Sequence, residues 1–120
     1  MKMELTMDLP PSVNSLWRIG SNRKLYRSPD YQVWRKAVMW QLSVQAKFNQ
    51  VDVPYKLTIR AVRPDKRKRD LDNIIKDLSD ILESSGIIKN DSLAQHIDIA
   101  WVEQGPPCWI EIQTMDEIHG

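Results

Sequence analysis

The sequence predicts one α/β domain of the α+β type: a mixed, largely antiparallel sheet of about four strands carrying two main helices, in the order β-α-β-α-β-β. Three observations point there. Four stretches alternate apolar and polar residues with a period of two, and two others repeat apolar residues at helical spacing. A chain of 120 residues holds core enough for one layered unit, and no internal repeat or linker divides residues 1–120.

The first strand is written in Met3, Leu5, Met7 and Leu9, which alternate with Lys2, Glu4, Thr6 and Asp8 until Pro10-Pro11 stops the run. Residues 10–27 have no stable period and carry Asn14, Arg18, Arg23, Lys24 and Arg27, which reads as a loop that either binds or connects. Ser28-Pro29-Asp30 is a helix start, with Ser28 as N-cap and Pro29 at the first helical position. That helix is expected to run to about Phe48. One apolar stripe holds Tyr31, Trp34, Val38 and Leu42, and an adjoining one holds Val33, Ala37, Trp40, Val44 and Phe48. More than half the circumference is apolar, so the helix is expected to be buried on two sides, with a partner subunit as one candidate cover.

Tyr55, Leu57, Ile59 and Ala61 alternate with Lys56, Thr58 and Arg60 to make a second strand ending near Arg63-Pro64. A second helix follows from about Leu71 or Asn73 to Ser85, with Leu71, Ile74, Ile75, Leu78, Ile81 and Leu82 at helical spacing and Gly86 as its stop. Gln95 to Val102 puts Ile97, Ile99 and Trp101 on one face. After the Gly105-Pro106-Pro107 turn, Cys108, Ile110, Ile112 and Thr114 alternate again, so these last two runs are expected to pair as a hairpin.

Composition narrows the function. Hydrophobic residues at 42% and charged residues at 28% match soluble globular chains, which argues against a disordered tail, a collagen-like repeat or a coiled coil. No run nears the roughly 18 apolar residues of a membrane helix, and the alternating start is no signal peptide, so the protein is expected in the cytoplasm, away from membranes. Cys108 is the single cysteine, with no Cys or His spacing around it that would make a zinc site. His96 and His119 each stand without a partner at ligand spacing. No Gly-rich phosphate loop, nucleophilic serine motif or dinucleotide fingerprint is present.

Charge is unevenly spread. Residues 1–76 hold 16 Lys/Arg against 7 Asp/Glu, and residues 77–120 hold 1 against 9, so the two parts carry +9 and −8. Such asymmetry suggests a basic surface for a polyanion, although folding can also intermix the two parts into a neutral surface. The densest run is Arg63-Pro64-Asp65-Lys66-Arg67-Lys68-Arg69, five basic residues within seven positions. A basic loop attracts phosphates by releasing counterions and reads no sequence by itself. The plainer reading is a solvated loop balancing the acidic remainder of the chain.

Two carboxylates, Asp70 and Asp72, follow that loop directly. One can cap the helix, but only one cap is needed. The other would repel DNA unless a divalent cation sat between them. Mg²⁺ suits the place, because it prefers carboxylate oxygens and binds through one or two of them plus substrate phosphate. Lys76, four residues after Asp72, projects from the same helix face, either to meet charge on the phosphate or as an ordinary i,i+4 ion pair. Asn90-Asp91 after the helix stop reads on its own as turn chemistry. Sequence arithmetic does not say whether Asp91 reaches Asp70 and Asp72.

These residues resemble the RusA family of Holliday junction resolvases, endodeoxyribonucleases of bacteria and their phages. The resemblance spans nearly the whole chain: the first strand followed by Pro10-Pro11-Ser12-Val13-Asn14, the basic run ending in Arg69, the block Asp70-Leu71-Asp72-Asn73-Ile74-Ile75-Lys76-Asp77, the helix end at Gly86-Ile87-Ile88, and Asn90-Asp91. It implies a Mg²⁺ site of Asp70, Asp72 and Asp91, with Lys76 needed for cleavage and Arg69 as a DNA contact. Lys66, Arg67, Lys68, Asn73, Asn14 and Arg18 are the further candidate DNA-binding residues. The resemblance also implies a homodimer that nicks two opposed strands of four-way junction DNA symmetrically. Two alternatives stay open: a nucleic-acid-binding module without catalysis, and a Mg²⁺ nuclease acting on flaps or forks.

Overall fold

Residues 1–9, 17–19, 25–27, 29–63 and 71–116 are described by the computed structural model, with backbone alone for 17–19, 25–27, 29 and 30. The expected elements form in the expected order: β1 (Lys2–Met7), α1 (Pro29–Gln45), β4 (Tyr55–Val62), α2 (Leu71–Ser84), β5 (Ala94–Val102) and β6 (Cys108–Thr114). Two short strands, β2 (Trp17–Ile19) and β3 (Leu25–Arg27), pair antiparallel within the segment read as loop. The proposed cap Ser28 lies outside the described residues.

Four strands make the main sheet in the order β1-β6-β4-β5. β6 runs antiparallel to both β1 and β4, while β4 and β5 are parallel. The expected hairpin between the last two runs is therefore not formed, and β4 lies between them. The reason is the connection through α2, which returns the chain to the start of the sheet and lays β5 parallel to β4 as a crossover unit. The link from Glu103 to Pro107 then has to pass over one strand, and it is seen doing so: the Pro107 carbonyl accepts from the Val62 amide at 3.0 Å, at the end of β4.

One face of the sheet is buried and the other is open. Met3, Leu5, Met7, Leu57, Ile59, Cys108, Ile110 and Ile112 pack with Tyr31, Trp34, Val38 and Leu42 of α1 and Ile74, Leu78, Ile81 and Leu82 of α2 in one core. The two helices thus share a layer. Arg35 of α1 ties them, its Nη2 lying 3.3 Å from Asp80 Oδ2 and donating to Ser84 Oγ at 2.7 Å. The edge of β1 is closed by a side chain: Gln45 Oε1 accepts from the Thr6 amide at 2.7 Å and its Nε2 donates to the Thr6 carbonyl at 2.8 Å, replacing a ladder neighbour.

α1 departs from expectation at its end and on its outer face. It stops at Gln45, three residues early, because Lys47 and Phe48 take φ of 54° and 59° and turn the chain without a glycine. Its second apolar stripe is not covered: Val33, Trp40 and Phe48 are 70%, 68% and 77% exposed. No described helix is long and apolar enough to cross a membrane.

Candidate functional site

α2 begins where the basic run ends and carries two of the predicted residues in its first turns. Asp72 and Lys76 are both exposed, while Ile74 and Leu78 face the core. A carboxylate in the first turn also suits the helix dipole. Asn73 is half-buried. Of the remaining candidates, Asp70, Lys66, Arg67, Lys68, Arg69 and Asn14 lie outside the described residues, and Arg18 is placed by its backbone alone, in β2.

The far end of α2 is set by Gly86. With φ of 77° it closes a C-terminal motif in which the Ile87 amide donates to the Leu82 carbonyl and the Gly86 amide to the Glu83 carbonyl, both at 3.0 Å. The chain then pairs with the stretch ahead of β4, Val51 and Ile88 forming a parallel bridge. A short 3₁₀ turn, Asp91–Leu93, follows. Asn90 caps it, its Oδ1 accepting from the Ser92 amide at 2.8 Å, so the Asn-Asp pair does perform turn chemistry. The Asp91 side chain stays exposed, and its backbone N–H donates to Glu83 Oε2 at 3.3 Å.

Glu83 is a neighbour that the sequence reading missed, although its place eleven residues after Asp72 put it on the same helix face. Beneath it and Asp91 lies Tyr55, fully buried, with a hydroxyl that has no hydrogen-bond partner among the described residues. Burial first, and then the Asp91 and Glu83 charges, push its pKa up from 10.0 to about 12. Burial likewise pushes the Cys108 thiol up from 9.0 to about 12, which leaves it an inert core group.

Both shifts favour the neutral forms in the fold. The stability they contribute is complete below pH about 9 and is lost progressively as the pH rises toward about 12. Tyr55→Phe removes one of the two contributions and an unsatisfied buried hydroxyl. It is expected to melt at the same temperature as wild type or higher at neutral pH, and to lose less stability between pH about 10 and 12. Thermal melts across that range check this; an equal alkaline loss in both proteins contradicts it.

The structure does not bring Asp72 and Asp91 together within one chain. Asp72 stands in the first turn of α2 and Asp91 is held to Glu83 in its last, and eleven residues of helix rise about 16 Å. The sheet says the same: Tyr55 beside Asp91 opens β4, whereas α2 follows the far end of that strand, about 20 Å away. Two ligands of one Mg²⁺ place their oxygens within about 4 Å of each other. The donors are chemically right for a hard cation, but this spacing is not. No group of three or more His, Cys, Asp or Glu side chains among the described residues could hold a metal.

Elsewhere the open face of the sheet is structural. Arg60 Nη1 lies 2.8 Å from Asp98 Oδ1, and this hydrogen-bonded ion pair holds the Asp98 carboxyl below its usual range. At the end of the sheet where the basic run begins, Arg63 stacks 4.7 Å above the Trp101 ring and lines a shallow depression of about 360 Å³ with Val62, Val102 and Glu103.

Comparison with known proteins gives a consistent answer. The family model described as "Endodeoxyribonuclease RusA" matches residues 8–113. Over 70 residues the chain is 37% identical to the crossover junction endodeoxyribonuclease RusA of Aquifex aeolicus (strain VF5), a match covering 58% of this chain and 56% of that protein. It is 36% identical over 90 residues to the crossover junction endodeoxyribonuclease rusA of Enterobacteria phage HK97, covering 73% of this chain and 72% of that protein. The match thus spans little more than half the length of the Aquifex relative.

Proposed function

The chain belongs to the RusA endodeoxyribonuclease family, and from that premise we propose that it is a Mg²⁺-dependent, structure-selective endodeoxyribonuclease. It resolves four-way DNA junctions by paired symmetric nicks, in the cytoplasm, as a step of recombination and repair. The observation that carries this reading is the pair Asp72 and Lys76, exposed one turn apart on α2 directly after the basic run.

Each part has a physical task. Lys66, Arg67, Lys68 and Arg69 neutralise backbone phosphates and hold the duplex arms without reading their sequence. Lys76 stands where it can meet negative charge growing on a phosphate. A divalent cation in such a site supplies an activated water and a counter-charge. One candidate site per chain requires two chains for two nicks, and a junction with two-fold symmetry suits a two-fold homodimer. The uncovered apolar stripe on α1 supports an assembly larger than one chain.

Labelled four-way junction, fork, flap and linear duplex, incubated with Mg²⁺ or EDTA, test the reading. The junction alone is expected to be nicked, on opposed strands, and only with Mg²⁺. Binding without cleavage of any substrate makes the protein a binding module, for which the basic run is needed but the acids are not. Faster cutting of forks or flaps makes it a nuclease for another substrate shape.

A further inference from the structure

The basic run before α2 starts on a packed aromatic surface. Arg63, its first residue, directly follows β4 and lies 4.7 Å above the ring of Trp101 on the neighbouring strand β5. The register brings them together: Ala61 pairs with Trp101 and Val62 with Val102, so the two strands end side by side. Trp101 is half-buried and packs partly against the core, whereas Arg63 is exposed. The guanidinium is thus backed by an indole and presents its outer plane to solvent. Stacking of this kind belongs to the flat guanidinium of arginine and not to the point charge of lysine.

The same end of the sheet receives the start of α2, since β4 ends at Val62 and α2 opens at Leu71. The surface therefore stands at the end of the sheet that carries Asp72. Val62, Val102 and Glu103 complete a depression of about 360 Å³ around Arg63 and Trp101, within the range of small-molecule sites. Its chemistry favours a flat ring over a phosphate. The indole and the two valines are apolar, and the Glu103 carboxylate repels an anion but can accept from a base N–H. An adjoining depression of about 280 Å³ shares Val102 and holds a second arginine and tryptophan, Arg60 and Trp109. Rings and cations set along a basic path are how proteins hold unpaired bases, whose faces are hidden inside a duplex.

We propose that Arg63 and Trp101 form a stacking site for an unpaired base at the branch point of the DNA, the base lying on the outer plane of the guanidinium. Stacked planes are about 3.4 Å apart. A ring between Arg63 and Trp101 would need about twice that, and 4.7 Å leaves no room for it. The site rests on the proposed junction-cutting function and adds what the rest of the basic run lacks. Phosphate contacts carry no branch information, whereas a base offers its face only where pairing or stacking is broken.

Binding titrations in EDTA test this with four-way junctions that lack the same base on two opposed strands, the abasic position being moved outward from the branch point one nucleotide at a time. Deleting a base keeps every phosphate. Wild type is expected to bind one of these abasic junctions at least about 5-fold more weakly than the intact junction, the lower end for one stacked base. Arg63→Lys keeps the charge and removes the plane. It is expected to bind the intact junction as weakly as wild type binds that abasic one, and to lose nothing more when the base is removed. Lysine that restores wild-type binding makes Arg63 a phosphate contact, and a loss by the same factor on intact and abasic junctions makes its role structural; either result overturns the site. So does a wild type that distinguishes none of the abasic junctions. Trp101→Leu, shown to be folded by its thermal melt, is expected to lower the intact-to-abasic ratio as well, and a full ratio in that variant overturns the part given to Trp101. A short single strand of thymidines, compared with the same sugar-phosphate strand without bases, separates this site from the proposed function. Preference for the thymidines in wild type and not in Arg63→Lys supports the site even where no junction is cut, and its absence in wild type overturns the site even where junctions are cut.

Discussion

Asp72→Asn is expected to lower junction cleavage by about 100-fold or more while leaving junction binding unchanged or tighter. The substitution keeps the volume of the side chain and removes one negative charge from a surface that meets phosphates. Asp72 is exposed and in the first turn of α2, where a carboxylate's interaction with the helix dipole is worth about 0.3 to 1 kcal/mol. Cleavage rates, a binding titration and a thermal melt of the same preparation separate the two roles. A variant that keeps more than about a tenth of wild-type cleavage shows that Asp72 serves the helix and not the reaction.

The second large effect is on affinity. Replacing Lys66, Arg67 and Lys68 with Ala is expected to weaken binding to junction and duplex alike, because phosphate contacts carry no sequence or branch information. Three lost phosphate contacts flatten the slope of log K against log salt by about 2 to 3. Preference for the junction over duplex is expected to survive. An unchanged affinity with an unchanged slope places the basic run away from DNA and returns it to the role of balancing the acidic remainder of the chain.

The sheet and helices were legible because burial of one face imposes a period. β1, β4 and β6 each alternate, and the structure buries Met3, Leu5 and Met7, Leu57 and Ile59, Ile110 and Ile112 on the predicted face. Pairing was not legible in the same way. Which strand lies beside which depends on the crossover through α2, a long-range arrangement that no local pattern records, and so the expected β5-β6 hairpin gave way to the order β1-β6-β4-β5. The end of α1 was missed for a different reason. Lys47 and Phe48 occupy left-handed backbone with no glycine to announce it. Periodicity also marks a residue as apolar-facing without saying what it faces, which is why Trp40 and Phe48 read like core and stand exposed.

The candidate site divides along the same line. Asp72 and Lys76 were legible as neighbours because four residues of helix fix their relation. The separation of Asp72 from Asp91 required the direction of α2 against the sheet, and Glu83 became part of the picture only through its hydrogen bond with the Asp91 amide. Tyr55 read as a strand residue, and its hydroxyl beneath two acids was invisible from the sequence.

The central claim, coordinated resolution of a four-way junction, is tested most directly with a supercoiled plasmid that extrudes a cruciform, incubated with the wild-type protein and Mg²⁺. A first nick releases the supercoiling that sustains the cruciform, so a second nick on the opposed strand has to follow within the lifetime of the same complex. Paired sites are expected to give linear plasmid as the first product. Nicked circles accumulating with no linear plasmid, or supercoiled plasmid left intact, contradict the account.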